Sequence, residues 1–211
     1  MSRAPAKKEN RLSFTERLKL KVSPADFERI MFAYELAKYG HKGQRRDSGE
    51  RYFEHPRYAA IILIDELGIT DPEMIIAILL HDMPEDSYLL TKKRIKLNFG
   101  KRVADMVMAL TKPKRNDPRF NGDDDARHEF YFQTLKDSPV EVKILKLVDR
   151  LHNLRTISEC AREKQLRKIK ETREQYLMLI DDVAQTYSQL AEYLHTAFAQ
   201  ALKQAEEALG I

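Results

Sequence analysis

Residues 72–86 read PEMIIAILLHDMPED. Asp71-Pro72 supplies an N-cap and a proline at the first helical position, so a helix is predicted to run through Met74, Ile75, Ile78 and Leu79 to His81-Asp82. The run is almost wholly apolar, which makes it a core segment, yet it leads directly into His81-Asp82. Pro84 removes one helical hydrogen bond and crowds the preceding turn. Glu85 and Asp86 are therefore expected just beyond the helix and not on its face. Four side chains able to bind metal or move protons thus fall within six residues, 81 to 86. Acids bordering a core segment are costly unless paired or coordinated.

Working outward, helical signals recur on both sides. Ser23-Pro24 opens a helix whose Phe27, Ile30, Met31, Tyr34 and Ala37 share a face. Residues 40–54 (GHKGQRRDSGERYFE) are polar, basic and punctuated by glycine, and read as a loop. Pro56 opens a helix carrying Ala59, Ala60, Leu63, Ile64 and Leu67 and stopping at Gly68. Thr91 caps a short basic helix ending at Phe99-Gly100, and another runs from Val103 to Leu110. Residues 112–126 (KPKRNDPRFNGDDDA) form a long polar loop, of a length often found in lids and insertions. Helices are expected over 127–136 and 139–155, and the C-terminal quarter reads as one strongly helical stretch broken near Asp181-Asp182. No internal repeat and no alternating strand pattern occurs. The fold class is all-α: a compact bundle with a C-terminal helical extension. The expected division is a mobile basic arm over 1–22, helical at its end, a domain over 23–180, and a C-terminal helix over 181–211.

Composition bounds the function. With 211 residues, 43% hydrophobic and 33% charged, the chain can bury a core and is too apolar for a disordered segment. A net charge of +4 and a pI near 9.0 suit either an ordinary surface or a basic mouth for a phosphorylated ligand. The charge is not concentrated as a nucleic-acid partner would require. The single cysteine, Cys160, excludes an intrachain disulfide and points to a reducing compartment. No apolar run reaches the ~18 residues of a membrane helix. The N-terminal MSRAPAKKENR has charges without an apolar segment behind it, so no secretory signal is read there and a cytoplasmic protein is expected.

Two further residues complete a candidate site. His55 stands at a loop-to-helix junction (FEHPRYAA), and Asp149 follows the apolar run Ile144, Leu145, Leu147 and Val148. Taken alone, His55 reads as a surface or capping histidine and Asp149 as a salt-bridge partner. Together with His81 and Asp82 they form a mixed nitrogen and oxygen set suited to manganese, iron or zinc. Four protein ligands leave room on a six-coordinate ion for water and a phosphate oxygen.

The pattern H55 … H81-D82 … D149 resembles the HD phosphohydrolase superfamily. The segments AKYGHKGQRRDSGERYFEHP, LLHDMPEDS, FGKRVADMVMALTK, KLVDRLHNLRT and ETREQY, in that order, resemble the hydrolase domain of the RelA/SpoT family over roughly residues 27–180. There is no room for that family's synthetase and regulatory domains, so the expected category is the stand-alone small alarmone hydrolase. The resemblance implies an HD-domain helical bundle and a manganese-dependent 3′-pyrophosphohydrolase. Such an enzyme converts guanosine tetra- or pentaphosphate, the alarmone partner, to GDP or GTP plus pyrophosphate. It also implies roles: His55, His81, Asp82 and Asp149 as metal ligands, and Glu85 and Asp86 as the catalytic acid pair. Arg46, Ser48, Asn153 and Thr156 would line the nucleotide pocket, with Arg46 stacking on the purine, while Arg150 and Lys112 are candidates for phosphate contacts and equally for solvated surface charges. Three positions depart from the family pattern: Asp47, Arg51 before Tyr52, and Pro84. None removes a ligand or an acid, and an active enzyme is expected. Two other readings stay open: an HD phosphatase of another nucleotide, such as the 2′-phosphate of NADPH, and an antitoxin that neutralises an alarmone synthetase by binding. No membrane or nucleic-acid partner is expected, and the sequence does not fix the oligomeric state.

Overall fold

The structure is a computed structural model that describes residues 9–86 and 90–211, the side chains of Glu85 and Asp86 excepted. The first eight residues of the basic arm lie outside that description. The remainder of the arm forms helix α1 (Arg11–Leu18), opened by Asn10, whose side chain accepts from the Ser13 N–H. Phe14 and Leu18 of α1 are fully buried, so this part of the arm is docked and not mobile. Two apolar side chains four residues apart on one face give a short helix its anchorage.

Helix α2 (Pro24–Gly40) begins at Ser23, which accepts from the Asp26 N–H. The following loop, residues 41–53, is pinched by an isolated bridge between Arg45 and Arg51. Helix α3 (Glu54–Ile61) starts two residues earlier than Pro56, and it continues as a π-helical turn over Ile62–Glu66. Helix α4 (Pro72–Leu80) opens at Asp71, whose carboxylate accepts from the Glu73 and Met74 N–H groups. Every residue from Met74 to Leu80 is buried. A helix apolar all round must lie inside, and α4 is packed by α2 and α3 and by two helices that follow it in the chain.

Pro84 explains where α4 stops. It has no N–H to give to the Leu80 carbonyl, four residues back, and its ring crowds that carbonyl. The break falls at His81-Asp82, slightly before the proline. The chain then re-enters a short helix, α5 (Met83–Asp86), with Pro84 in its first turn. Glu85 and Asp86 thus belong to a helical turn of their own.

Helices α6 (Lys92–Phe99) and α7 (Lys101–Leu110) turn about Gly100, whose φ of 96° favours glycine. A run of turns leads to α8 (Asp124–Lys136), capped by Asp123. Helix α9 (Val140–Arg155) passes through the interior, with eleven of its residues buried, and packs on α4, α3 and α7. A 3₁₀ turn over Ile157–Glu159 precedes α10 (Arg162–Glu171), and a π-helical turn over Thr172–Tyr176 joins α10 to α11 (Leu177–Ala184). The C-terminal helix α12 (Ser188–Leu209) packs on α11, α9 and α10. The break before it lies at residues 185–187, not at Asp181-Asp182, which are inside α11. The all-helical expectation holds. Among the described residues no helix is long and apolar enough to cross a membrane.

Candidate metal centre

The end of α4, the start of α3 and the middle of α9 meet at one point. The imidazoles of His55 and His81 and the carboxylate of Asp82 each offer a ligand atom, all within 4.8 Å of one another. Asp149 Oδ1 lies 3.0 Å from His55 Nε2 and 3.7 Å from His81 Nε2. Asp82 approaches both rings as well, at 3.1 Å from His81 Nε2 and 3.7 Å from His55 Nε2. The four residues predicted as ligands are therefore together, although they come from three separate segments.

The surroundings set the ring tautomers. His81 Nδ1 lies 2.8 Å from the Ile78 carbonyl, which can only accept, so Nδ1 carries a proton. Its Nε2 is buried and has no hydrogen-bond partner among the described residues. A buried ring nitrogen without a partner, aimed at two carboxylates, is what a cation would satisfy. His55 Nδ1 meets His152 Nδ1 at 2.8 Å. Burial, aided by His55 and Arg46, holds His152 well below the usual imidazole range, so it is neutral and accepts from His55. That leaves His55 Nε2 facing the carboxylates.

The carboxylates are kept charged. Burial pushes the Asp149 acid up, but Lys146 and the two histidines outweigh it and hold the group well below the ordinary carboxylate range. Lys146 Nζ donates to Asp149 Oδ2 at 2.7 Å, and Asn153 Nδ2 donates to Oδ1 at 2.6 Å. Burial likewise raises Asp82, but His81 and His55 lower it further, and the Tyr52 hydroxyl donates to its Oδ2 at 2.9 Å. Burial lowers His81, but Asp82 and Asp149 together push it up to about 9. In His55 burial prevails, and its pKa is lowered. Two ionised carboxylates and two imidazole nitrogens form a hard, mixed donor set that fits a divalent ion.

Above the cluster opens a cavity of about 250 Å³. Arg46, Ser48, Asn153 and Thr156, predicted for the pocket, all line it. Arg46 is already fixed, donating to Asn153 Oδ1 at 3.2 Å and to Thr156 Oγ1 at 3.0 Å. Lys112 also lines the cavity, and it is the sole residue of the 112–126 loop to do so, so that loop does not roof it. The departure at Asp47 is compensated locally, because Lys164 pairs with it at 2.6 Å. Arg150 is not brought to the cavity wall. It is buried, donates to Glu171 at 2.8 Å and lies 3.8 Å from the centre of the Tyr176 ring. The side chains of Glu85 and Asp86 lie outside the described residues.

Sequence reasoning missed Lys146, His152, Tyr52 and Lys168, all beside the cluster or on the cavity. For α9 a signal existed. Lys146, Asp149, His152 and Asn153, with Thr156 at the C-cap, recur at intervals of three and four and share a face, a polar stripe running past the buried apolar residues of the helix.

Comparison with known proteins agrees with this geometry. A family model described as an HD domain matches residues 33–181. The guanosine-3′,5′-bis(diphosphate) 3′-pyrophosphohydrolase of Aquifex aeolicus is 39% identical over 156 residues, 74% of this chain and 22% of that protein. The bifunctional (p)ppGpp synthase/hydrolase SpoT of Escherichia coli is 34% identical over 151 residues, 71% of this chain and 21% of that protein. The chain thus spans about a fifth of the length of these curated relatives. A solved structure, described as a metazoan ortholog of SpoT that hydrolyzes ppGpp and plays a role in starvation responses, has a TM-score of 0.66. It is 24% identical and covers 82% of this chain and 94% of that one, a likeness that concerns the fold. The meeting of two histidines and two aspartates in a helical bundle and the match over 33–181 lead to one conclusion: the chain belongs to the HD domain family.

Proposed function

We propose that the chain is a 3′-pyrophosphohydrolase of guanosine tetra- and pentaphosphate, using manganese or a similar divalent ion. One observation carries the reading: His55, His81, Asp82 and Asp149 converge, His81 with a ring nitrogen unpartnered among the described residues, and His55, Asp82 and Asp149 line a cavity in which cations outnumber the carboxylates of its wall. Relatives named for this reaction support it. The four residues would hold the ion. Bound there, it would offset charge on the phosphoryl group and make water more acidic.

The chain's own residues do the rest. Ile78 and His152 fix the two rings so that Nε2 of each faces inward. Lys146, Asn153 and Tyr52 hold the carboxylates in place. Arg46, held in place by Asn153 and Thr156, would offer the face of its planar guanidinium to a purine and leave donors for ribose or phosphate. Ser48 borders the same wall. Glu85 and Asp86, one short turn after Asp82, are assigned to the attacking water: one takes its proton or orients it, the other steadies the ligand sphere. The hydrolase unit in this reading is residues 23–180, with 181–211 as its helical extension.

The test is product analysis. The purified protein with manganese should convert guanosine tetraphosphate to GDP and pyrophosphate in equal amounts, and a chelator should stop it. Release of orthophosphate from another nucleotide, with the tetraphosphate untouched, would overturn the reading.

A further inference from the structure

Guanosine tetraphosphate carries two diphosphates, and only the 3′ one reacts. Where the other diphosphate also enters the cavity it needs cations, because a polyanion withdrawn from water is costly unless paired. Most cations of the cavity wall already have partners. Lys146 is paired with Asp149 at 2.7 Å, Lys164 with Asp47 at 2.6 Å, and Arg46 is bonded to Asn153 and Thr156. Lys168 differs. It projects from α10 onto the cavity, and no carboxylate among the described residues lies within ion-pair distance of it. Its electrostatic neighbours are chiefly Arg150, Lys112 and Lys146, with Asp149 opposing them. Burial, reinforced by those cations, pulls its amine down to about 8. A cation placed among cations and half-withdrawn from water destabilises the empty protein; an anion entering the cavity reverses the sign of that term.

We propose that Lys168 is the anchor for the diphosphate that does not react, and that it sets the preference for nucleotides bearing a 5′-diphosphate. The inference rests on the proposed hydrolase reading. Lys168 forms no bond to the reacting phosphorus, so it acts on binding and specificity and leaves the chemical step alone. The second diphosphate would lie on the α10 side of the cavity, across from Arg46, with Lys112 as its neighbour on that wall.

The experiment uses the manganese-loaded full chain at pH 7, where the amine is charged. Wild type and Lys168→Met are compared on guanosine tetraphosphate and on guanosine 3′-diphosphate, which has a 5′-hydroxyl. Methionine keeps the length and removes the charge. Expected is a rise of ten-fold or more in KM for the tetraphosphate, with kcat within about two-fold and the 5′-hydroxyl substrate unaffected. Lys168→Arg should recover most of the preference. Equal loss on both substrates, or no loss on either, would overturn the proposal. A second measurement does not depend on turnover: GDP and guanosine binding by calorimetry. Wild type should favour GDP and Lys168→Met should lose that preference. If the tetraphosphate is not hydrolysed yet the GDP preference disappears in Lys168→Met, the hydrolase reading fails and the anchor stands. If the GDP preference survives the substitution, the anchor fails whatever the turnover. Melting without ligand guards against misfolding, since removing a cation that repels its neighbours should leave stability unchanged or raise it.

Discussion

Glu54 and His55 are adjacent in the chain and both are buried, yet they belong to opposite kinds of polar cluster. Glu54 is in contact with Arg57, also buried, and with Arg51. Arg57 donates to the Glu9 carbonyl at 2.8 Å, and Glu9 in turn pairs with Arg17 at 2.7 Å. There each charge meets its opposite, and only Arg57 Nε lacks a hydrogen bond. The cluster fastens α1 to α3. His55, one residue on, faces two carboxylates and a second imidazole beneath an open cavity. Lys146, Asn153 and Tyr52 meet some of its acceptors, but among the described residues the buried His81 Nε2 has no hydrogen-bond partner. Buried polar groups that satisfy one another make structure; buried polar groups arranged to satisfy something else make a site.

The largest effect should come from Asp149→Ala. It removes a proposed ligand and leaves Lys146 buried without its carboxylate. Turnover should fall by about 1000-fold or more, the equivalent of about 4 kcal/mol in the barrier, and bound manganese should be lost. Asp149→Asn keeps the shape and should also lose the metal while melting closer to wild type. Retention of a full equivalent of metal in either variant would sink the ligand assignment.

On the other side of the comparison, Glu54→Gln leaves Arg57 without its buried counter-charge. Urea unfolding should show a loss of about 3 kcal/mol, the lower end for breaking a buried pair. Metal content and turnover per folded molecule should change little. If the metal is lost in parallel, the two clusters are one unit and the distinction drawn here fails.

A smaller effect separates the clusters by pH. In the metal-free protein His81 sits at about 9, above its ordinary 6.5. A raised pKa contributes stability that is complete below the unfolded value and is lost as pH rises through the folded one. Metal-free melting temperature should therefore decline from about pH 6.5 to 9, while affinity for manganese rises as the proton leaves the same nitrogen. Lys168 and Tyr176, both lowered to about 8, also titrate in this window, so the informative contrast is with His81→Gln. An unchanged pH slope in that variant would remove His81 as its source.

How much of this was legible in the sequence follows from where the signals were local. The helix of residues 72–80 was readable because Asp71, Pro72 and an unbroken apolar run agree within one segment. Its end was misplaced by a few residues, because a proline acts on the carbonyl four positions back and not where it stands. The docking of α1 was invisible, since it depends on Phe14 and Leu18 meeting Tyr34 and the distant core. His81 and Asp82 stood out at the end of an apolar run, whereas His55 and Asp149, each ambiguous alone, joined them only as a metal-competent set that the resemblance supported, since no spacing rule unites positions so far apart. Arg150, next to Asp149 in the chain, points elsewhere because consecutive helical residues lie about 100° apart. Lys146 and His152 were missed although the polar stripe on α9 contained them.

His152 gives the finest test. It touches no ligand atom proposed for the metal; it only accepts a hydrogen bond from His55 Nδ1 at 2.8 Å and stacks on Tyr58. Replacing it by phenylalanine keeps the ring packing and removes the acceptor. His55 then loses the group that holds its tautomer, and its Nδ1 proton is buried without a partner. Affinity for manganese should drop about 10- to 100-fold, the usual cost of losing an outer hydrogen bond to a ligand. Turnover at saturating metal should recover most of the wild-type value, because the ligands themselves remain. The same titration run on Glu54→Gln should show no shift, since Glu54 meets only cations of its own cluster. Were His152→Phe to bind metal as tightly as wild type, the orientation of His55 would have to come from its packing between α9 and α4, and the polar stripe on α9 would end at Asp149.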